Sequence, residues 1–154
     1  IHEIDYLQWI FGTPKNIYAL GGKLSNLEID VEDSASLLMC CDKGGLLIPI
    51  NLYMDFLQKN NRRNCIVYGT EGRIEADLKN LSLELIQDNK SIKKYSWKSF
   101  DRNQQFIQQL KHFLKVVENK EKPLVDFNEG LKSLKIALAA KKSINTGKII
   151  KIKY

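Results

Sequence analysis

Between residues 34 and 97 the chain is a succession of short β-prone segments joined by connections too small to hold a helix. The apolar runs 34–41 and 46–56 flank Asp42-Lys43-Gly44-Gly45, and 65–68 and 73–76 flank Gly69-Thr70-Glu71-Gly72. Segments 81–86 and 92–97 follow, set off by Lys79-Asn80 and Asp88-Asn89-Lys90. Parallel neighbours need a crossover of about a dozen residues or more, so these turns permit only antiparallel hairpins. A strand over 16–24 and a final one in 148–154, where lysines alternate with Ile150, Ile152 and Tyr154, complete the β content.

Helical periodicity is confined to the two ends of the chain. Ile4, Leu7, Ile10 and Phe11 recur at helical spacing before Gly12 and Pro14 stop the first helix. Asp101 with Gln104 and Asp126 with Glu129 have the form of capping boxes opening two more helices. The first of these carries an apolar stripe of Phe106, Ile107, Leu110, Phe113, Leu114 and Val117; the second is expected to bury Leu131, Leu134, Ala137 and Leu138. Segregated helices and hairpin strands predict an α+β fold: a mostly antiparallel, open-faced sheet with helices on one face, a two-layer sandwich. A chain of 154 residues suits one domain.

The net charge of +6 is spread along the chain, which favours surface solubility over a nucleic-acid partner. No apolar run is long enough to span a bilayer, so no membrane partner is expected. Cys40, Cys41 and Cys65 have no metal-site spacing and read as free thiols of a reducing cytoplasm; no metal is expected. Dinucleotide-binding, phosphate-loop, zinc-protease and serine-hydrolase motifs are all missing. Any chemistry must therefore borrow parts from outside these residues.

The sharpest chemical candidate is His2, in the first turn of the first helix. An imidazole titrates near neutrality and can pass a proton to or from an alcohol oxygen. Asp5, three residues on, shares its helix face and is a candidate to orient the ring. A chain opening on such a residue reads as one domain cut from a longer protein. On the strand over 46–56, Asn51, Tyr53 and Asp55 alternate with apolar residues. They form a polar ladder that either floors a pocket for a hydroxyl-rich ligand or lies in solvent or a subunit interface. Arg63, in the loop after it, is a candidate to grip a phosphate or carboxylate. His112, just off a helical stripe, is given no role.

The string His2-Glu3-Ile4-Asp5-Tyr6-Leu7-Gln8-Trp9-Ile10-Phe11-Gly12-Thr13-Pro14 resembles the first helix of the C-terminal domain of the glucose–fructose oxidoreductase and inositol dehydrogenase (Gfo/Idh/MocA) family. Val31-Glu32-Asp33-Ser34-Ala35-Ser36, Ile66-Val67-Tyr68-Gly69-Thr70-Glu71-Gly72-Arg73-Ile74-Glu75 and Ser143-Ile144-Asn145-Thr146-Gly147-Lys148 are similar to later segments of it, in the right order. The resemblance implies that residues 1–154 are the C-terminal substrate-binding and oligomerisation domain of an NAD(P)-dependent oxidoreductase. An N-terminal Rossmann domain, outside this sequence, would hold NAD or NADP, and this domain alone none.

The family's Asp-x-x-x-His pair would place its histidine at His2 and its aspartate four positions earlier, with a lysine further upstream. The implied reaction is hydride transfer between a sugar CH–OH carbon and nicotinamide, with His2 as proton relay. The segment around Tyr53 to Gln58 looks like members from bacterial surface-polysaccharide pathways, which implies a sugar or nucleotide-sugar substrate. Homo-oligomerisation through the open sheet face and a cytoplasmic location are expected. The alternative is a non-catalytic regulator that senses a sugar or nucleotide, or an interaction module, with the same fold.

Overall fold

A computed structural model describes residues 1–154, which divide into two compact units. One is discontinuous, residues Ile1–Leu57 with Leu124–Tyr154; the other is Gln58–Pro123. The α+β class is as read from the sequence, but the strands fall into two four-stranded antiparallel sheets rather than one.

The discontinuous unit starts with α1 (His2–Phe11), followed by β1 (Pro14–Gly22), β2 (Ser34–Lys43) and β3 (Leu46–Asp55). Ten residues make a helix too short to persist alone, so α1 depends on burying Ile4 and Leu7. Gly12 ends it at φ 85° and ψ 177°, and its N–H returns to the Gln8 carbonyl at 2.8 Å. A side chain there would be impossible without movement, because a Cβ would lie 2.4 Å from the Asp42 carbonyl oxygen. The Lys43 ammonium donates to the Ile10 carbonyl, placing a cation at the negative end of the helix. Asp42, near the end of β2, also accepts from Lys15 Nζ and Gly45 N–H, each at 3.0 Å.

The sheet of this unit has the order β3-β2-β1-β8, with β8 at Ile150–Lys151. Register pairs Ile17 with Met39 and Leu37 with Leu52, so one face is continuously apolar. The helix α3 (Phe127–Thr146) covers it, capped by the Asp126 carboxylate, which accepts from Glu129 N–H at 2.9 Å.

Its buried side is only partly the one expected: Leu131 is half-buried and Ala137 packs against the core, but the centre of the face lies elsewhere. Ser133, Ile136, Ala139, Ala140 and Ser143 face inward, while Leu134 and Leu138 are exposed. Small residues allow the helix close to the sheet, and its buried hydroxyls are satisfied. Ser143 Oγ accepts from Ala19 N–H at 2.9 Å and donates to the Lys148 carbonyl at 2.6 Å. The core is thus Ile4, Leu7, Ile17, Ala19, Leu37, Met39, Leu52, Ile136, Ala139, Ala140 and Ile152.

The loop between β1 and β2 is gathered around Asp33, a buried carboxylate that accepts from Leu24 N–H, Ser25 N–H and the Ser25 hydroxyl. The opposite face of the sheet carries Leu20, Leu38, Leu47 and Tyr53 exposed. Of the thiols, Cys40 is exposed, Cys41 buried and Cys65 half-buried, and none is in a disulfide. Burial pushes the Cys41 thiol up to about 11.

The second unit is a meander, β4 (Asn64–Gly69), β5 (Gly72–Asp77), β6 (Ser82–Ile86) and β7 (Lys93–Ser96), with α2 (Arg102–Val117). The Asp101 carboxylate caps α2 through Asn103 N–H at 2.9 Å, one residue short of the position a capping box would use. Register lines Cys65, Ala76, Leu83 and Tyr95 along one sheet face and Ile66, Glu75, Glu84 and Lys94 along the other. No residue of this unit is fully buried, and the apolar stripe of α2 is exposed along its whole length. His112 belongs to an ion-pair group: its Nδ1 lies 2.8 Å from Glu121 Oε2, and Lys115 lies 2.6 Å from Glu121 Oε1. The Lys115 ammonium first, then His112, holds the Glu121 carboxyl below its usual range.

Candidate functional site

His2 is the first residue of α1 and its side chain is exposed. Ile1 precedes it as N-cap and makes no side-chain cap, so the leading N–H groups of the helix point outward without one. Glu3 and Asp5 in this turn complement the positive end of the helix dipole. Ile1 and Ile4 help to line a cavity of about 340 Å³. Leu37 and Ala35 of β2, Met54 and Phe56 at the end of β3, and Ala137, Ala140 and Ile144 of α3 make its wall mainly apolar. Charge gathers among the remaining lining residues, Glu32, Asp33, Asp55 and Lys141, with Lys141 Nζ 3.4 Å from Glu32 Oε2.

Asp5 does not do what its spacing suggested. Its Oδ1 accepts from the Ser133 hydroxyl at 2.6 Å and from Gln8 Nε2 at 3.5 Å, and no hydrogen bond joins it to His2. The carboxylate is drawn sideways onto α3 because α1 and α3 pack against each other along that edge. Gln8 Nε2 also donates to Ser133 Oγ at 2.6 Å and to the Glu129 carbonyl at 3.3 Å. Gln8 and Ser133 are 7% and 3% exposed, a polar cluster inside the helix–helix contact. Gln8 Oε1 is buried there with no partner.

The expected ladder of Asn51, Tyr53 and Asp55 is split by the sheet. Successive side chains of a strand point to opposite faces, and Leu52 and Met54 are the ones on the helix-covered side. Asn51 and Tyr53 therefore lie on the uncovered face, away from α1. Asn51 borders a shallow, mainly apolar depression there with Tyr18, Leu38, Cys40 and Pro49. Tyr53 stands opposite Ser36, and its hydroxyl accepts from Ser34 Oγ at 3.4 Å.

Only Asp55, where the strand ends, reaches the cavity beside α1; its Oδ1 accepts from Leu57 N–H at 2.7 Å and turns the chain. Asn51 and Tyr53 thus lie apart from the cavity beside α1, on the uncovered face of the sheet. Arg63 belongs to the second unit, immediately before β4, where its carbonyl accepts from Leu78 N–H at 2.8 Å.

Sequence reasoning missed Gln8, Ser133, Lys141 and Glu32. Gln8 was detectable as a polar residue directly behind Leu7 in an apolar stripe, and Ser133 as a hydroxyl one turn before Ile136. The Lys141–Glu32 pair joins α3 to a loop over a hundred residues away and left no local signal.

Every strand pairing is antiparallel, and no β-turn-α crossover exists that would aim helix N–H groups at a pyrophosphate. The strand–turn–helix arrangement by which a Rossmann fold cradles a dinucleotide is therefore not formed by these residues. No group of three or more His, Cys, Asp or Glu side chains could hold a metal ion, and no helix is long and apolar enough to cross a membrane.

The family described as "Oxidoreductase family, C-terminal alpha/beta domain", the Gfo/Idh/MocA group, matches residues 1–153. Myo-inositol 2-dehydrogenase of Thermotoga maritima is 28% identical over 160 residues, covering 99% of this chain and 47% of its own length. The chain thus spans about half of that curated relative.

Among solved structures, an oxidoreductase from Klebsiella pneumoniae superposes with a TM-score of 0.77 at 14% identity, covering 99% of this chain and 48% of its own. The WlbA dehydrogenase of Bordetella pertussis, solved with NADH and UDP-GlcNAcA, gives 0.69 at 19% identity, covering 99% and 46%. At such identities these likenesses concern the fold alone. The family match extends through both compact units and carries the conclusion: this chain belongs to the Gfo/Idh/MocA oxidoreductase family, as its C-terminal α/β domain.

Proposed function

We propose that residues 1–154 act together as the substrate-binding and oligomerisation domain of an NAD(P)-dependent oxidoreductase that oxidises or reduces a CH–OH carbon of a sugar or nucleotide sugar. The observation that carries this reading is the position of His2. It is an exposed imidazole at the first turn of α1, flanked in sequence by Ile1 and Ile4, which help to line a cavity that His2 itself does not line. An exposed ring there can exchange protons, and its place at the helix start leaves it open to a second domain. The role of this chain is to bind the sugar and to take or return the hydroxyl proton at His2. The apolar cavity wall suits a sugar's C–H face, and Asp55 and Lys141 offer partners to hydroxyls.

The cofactor is assigned to an N-terminal Rossmann domain of the full-length protein, in line with the family to which the chain belongs. The uncovered face around Leu38, Asn51 and Tyr53 is assigned to contact with a second copy. The myo-inositol 2-dehydrogenase and the WlbA dehydrogenase solved with UDP-GlcNAcA support a substrate of this hydroxyl-rich class. A step of surface-polysaccharide synthesis in the bacterial cytoplasm is the context that suits such a substrate.

The test is reduction of NAD or NADP by the full-length protein with myo-inositol, glucose and UDP-N-acetylglucosamine, before and after His2→Gln. Turnover that falls at least a hundredfold supports the proton role; unchanged turnover removes His2 from the mechanism.

A further inference from the structure

The helix that carries His2 has few means of fixing its own orientation. It is ten residues long, and its apolar contacts, Ile4 and Leu7 with Tyr6 and Phe11 packed beside them, turn one face to the core but are non-directional and set the roll only coarsely. Its directional contacts include the Lys43 ammonium donating to the Ile10 carbonyl at its end and, on the side facing α3, one buried cluster. Ser133 Oγ donates to Asp5 Oδ1 at 2.6 Å, and Gln8 Nε2 donates to Ser133 Oγ at 2.6 Å and to the Glu129 carbonyl at 3.3 Å.

At its other end α3 is fastened to β1 through Ser143, which accepts from Ala19 N–H at 2.9 Å. A hydrogen-bonded line therefore runs from the sheet through α3 to the first turn of α1. The cluster is not there for stability alone. Gln8 Oε1 is buried with no partner, a penalty that an apolar side chain of equal size would not incur.

We propose that Ser133 and Gln8 are positioning residues that, acting through the Asp5 carboxylate, fix the roll of α1 and so the aim of the His2 imidazole. This rests on the proton-handling role given to His2 above. Side-chain tips lie about 5–6 Å from a helix axis, so a roll of about 20° moves them by roughly 2 Å. A displacement of ~1 Å at a reacting group can cost about a hundredfold in rate. Asp5 needs only an acceptor oxygen for this role, not a charge.

The experiment is steady-state kinetics of the full-length protein with myo-inositol or UDP-N-acetylglucosamine and the nicotinamide cofactor. It compares Ser133→Ala, Ser133→Thr, Asp5→Asn and His2→Gln. Positioning predicts that Ser133→Ala lowers kcat at least tenfold while the KM for nicotinamide stays within twofold. Ser133→Thr restores most of that loss, and Asp5→Asn, which keeps the acceptor oxygen, stays within about threefold of the wild type. If Ser133→Ala does not fold, Ser133→Cys takes its place.

The proposal is overturned if His2→Gln abolishes turnover while Ser133→Ala stays within twofold, or if Asp5→Asn is as damaging as His2→Gln. Intact turnover in His2→Gln would instead overturn the function on which the inference rests, a separate and recognisable result.

Discussion

Replacing Gly12 by Ala tests how α1 is joined to the sheet. At φ 85° and ψ 177° the backbone sits in a region that is essentially glycine-only, where another residue costs about 1–3 kcal/mol. An added Cβ would also lie 2.4 Å from the Asp42 carbonyl oxygen. That neighbour is backbone held in β2 by its pairing with β3, so relief requires moving the helix end or the hairpin, a further ~1–3 kcal/mol on the scale of an overpacked site. The sum is about 2–6 kcal/mol, a large share of the roughly 5–15 kcal/mol typical of a domain.

Gly44 is the control. It also has a positive φ, 62°, but a Cβ there meets nothing within 4 Å, so Gly44→Ala incurs only the backbone cost of about 1–2 kcal/mol. Urea denaturation of the two variants beside the unsubstituted chain, followed by circular dichroism, gives the difference directly. Equal losses, within about 0.5 kcal/mol, would refute the claim that close approach of α1's end to the hairpin demands glycine. That margin is the usual spread of a neutral surface change.

Further outcomes follow from the buried carboxylate and the uncovered sheet face. The Ser25 hydroxyl, with the Leu24 N–H, holds the Asp33 carboxyl below its usual range. Its stabilisation is therefore complete above the unfolded value of about 4 and is lost as pH falls through the lower folded value. The melting-temperature gap between the wild type and Asp33→Asn should be constant from about pH 7 down to about 5 and shrink towards about pH 3; a gap that widens in acid would contradict this. On the uncovered face, Leu38→Asp should convert a dimer of the full-length protein to a monomer in sedimentation without lowering its melting temperature, because Leu38 is more than half exposed. A wild-type protein that is already monomeric would remove that face as an assembly surface.

The hairpins, the three helices and their stops were legible along the chain because each depends on local rules. Alternation marks a strand, a capping aspartate and a terminal glycine bracket a helix, and Asp42-Lys43-Gly44-Gly45 can only turn. The family was legible too, in the ordered motifs from His2 to Lys148. Which side of each element meets which neighbour was not. Leucine content pointed to one face of α3, but Ser133, Ile136 and Ala140 are buried instead, since close contact with the sheet favours small side chains and supplies partners for the hydroxyls.

Asn51, Tyr53 and Asp55 share a parity on β3, yet the covering helices leave two of them on the far side and bring only the third to the cavity. Asp5 looked like a partner for His2, three residues away, and was claimed by Ser133, 128 residues away. Spacing along a chain fixes direction within an element, whereas contacts between elements are decided by the packing of the core, and here that packing set the surroundings of every candidate residue.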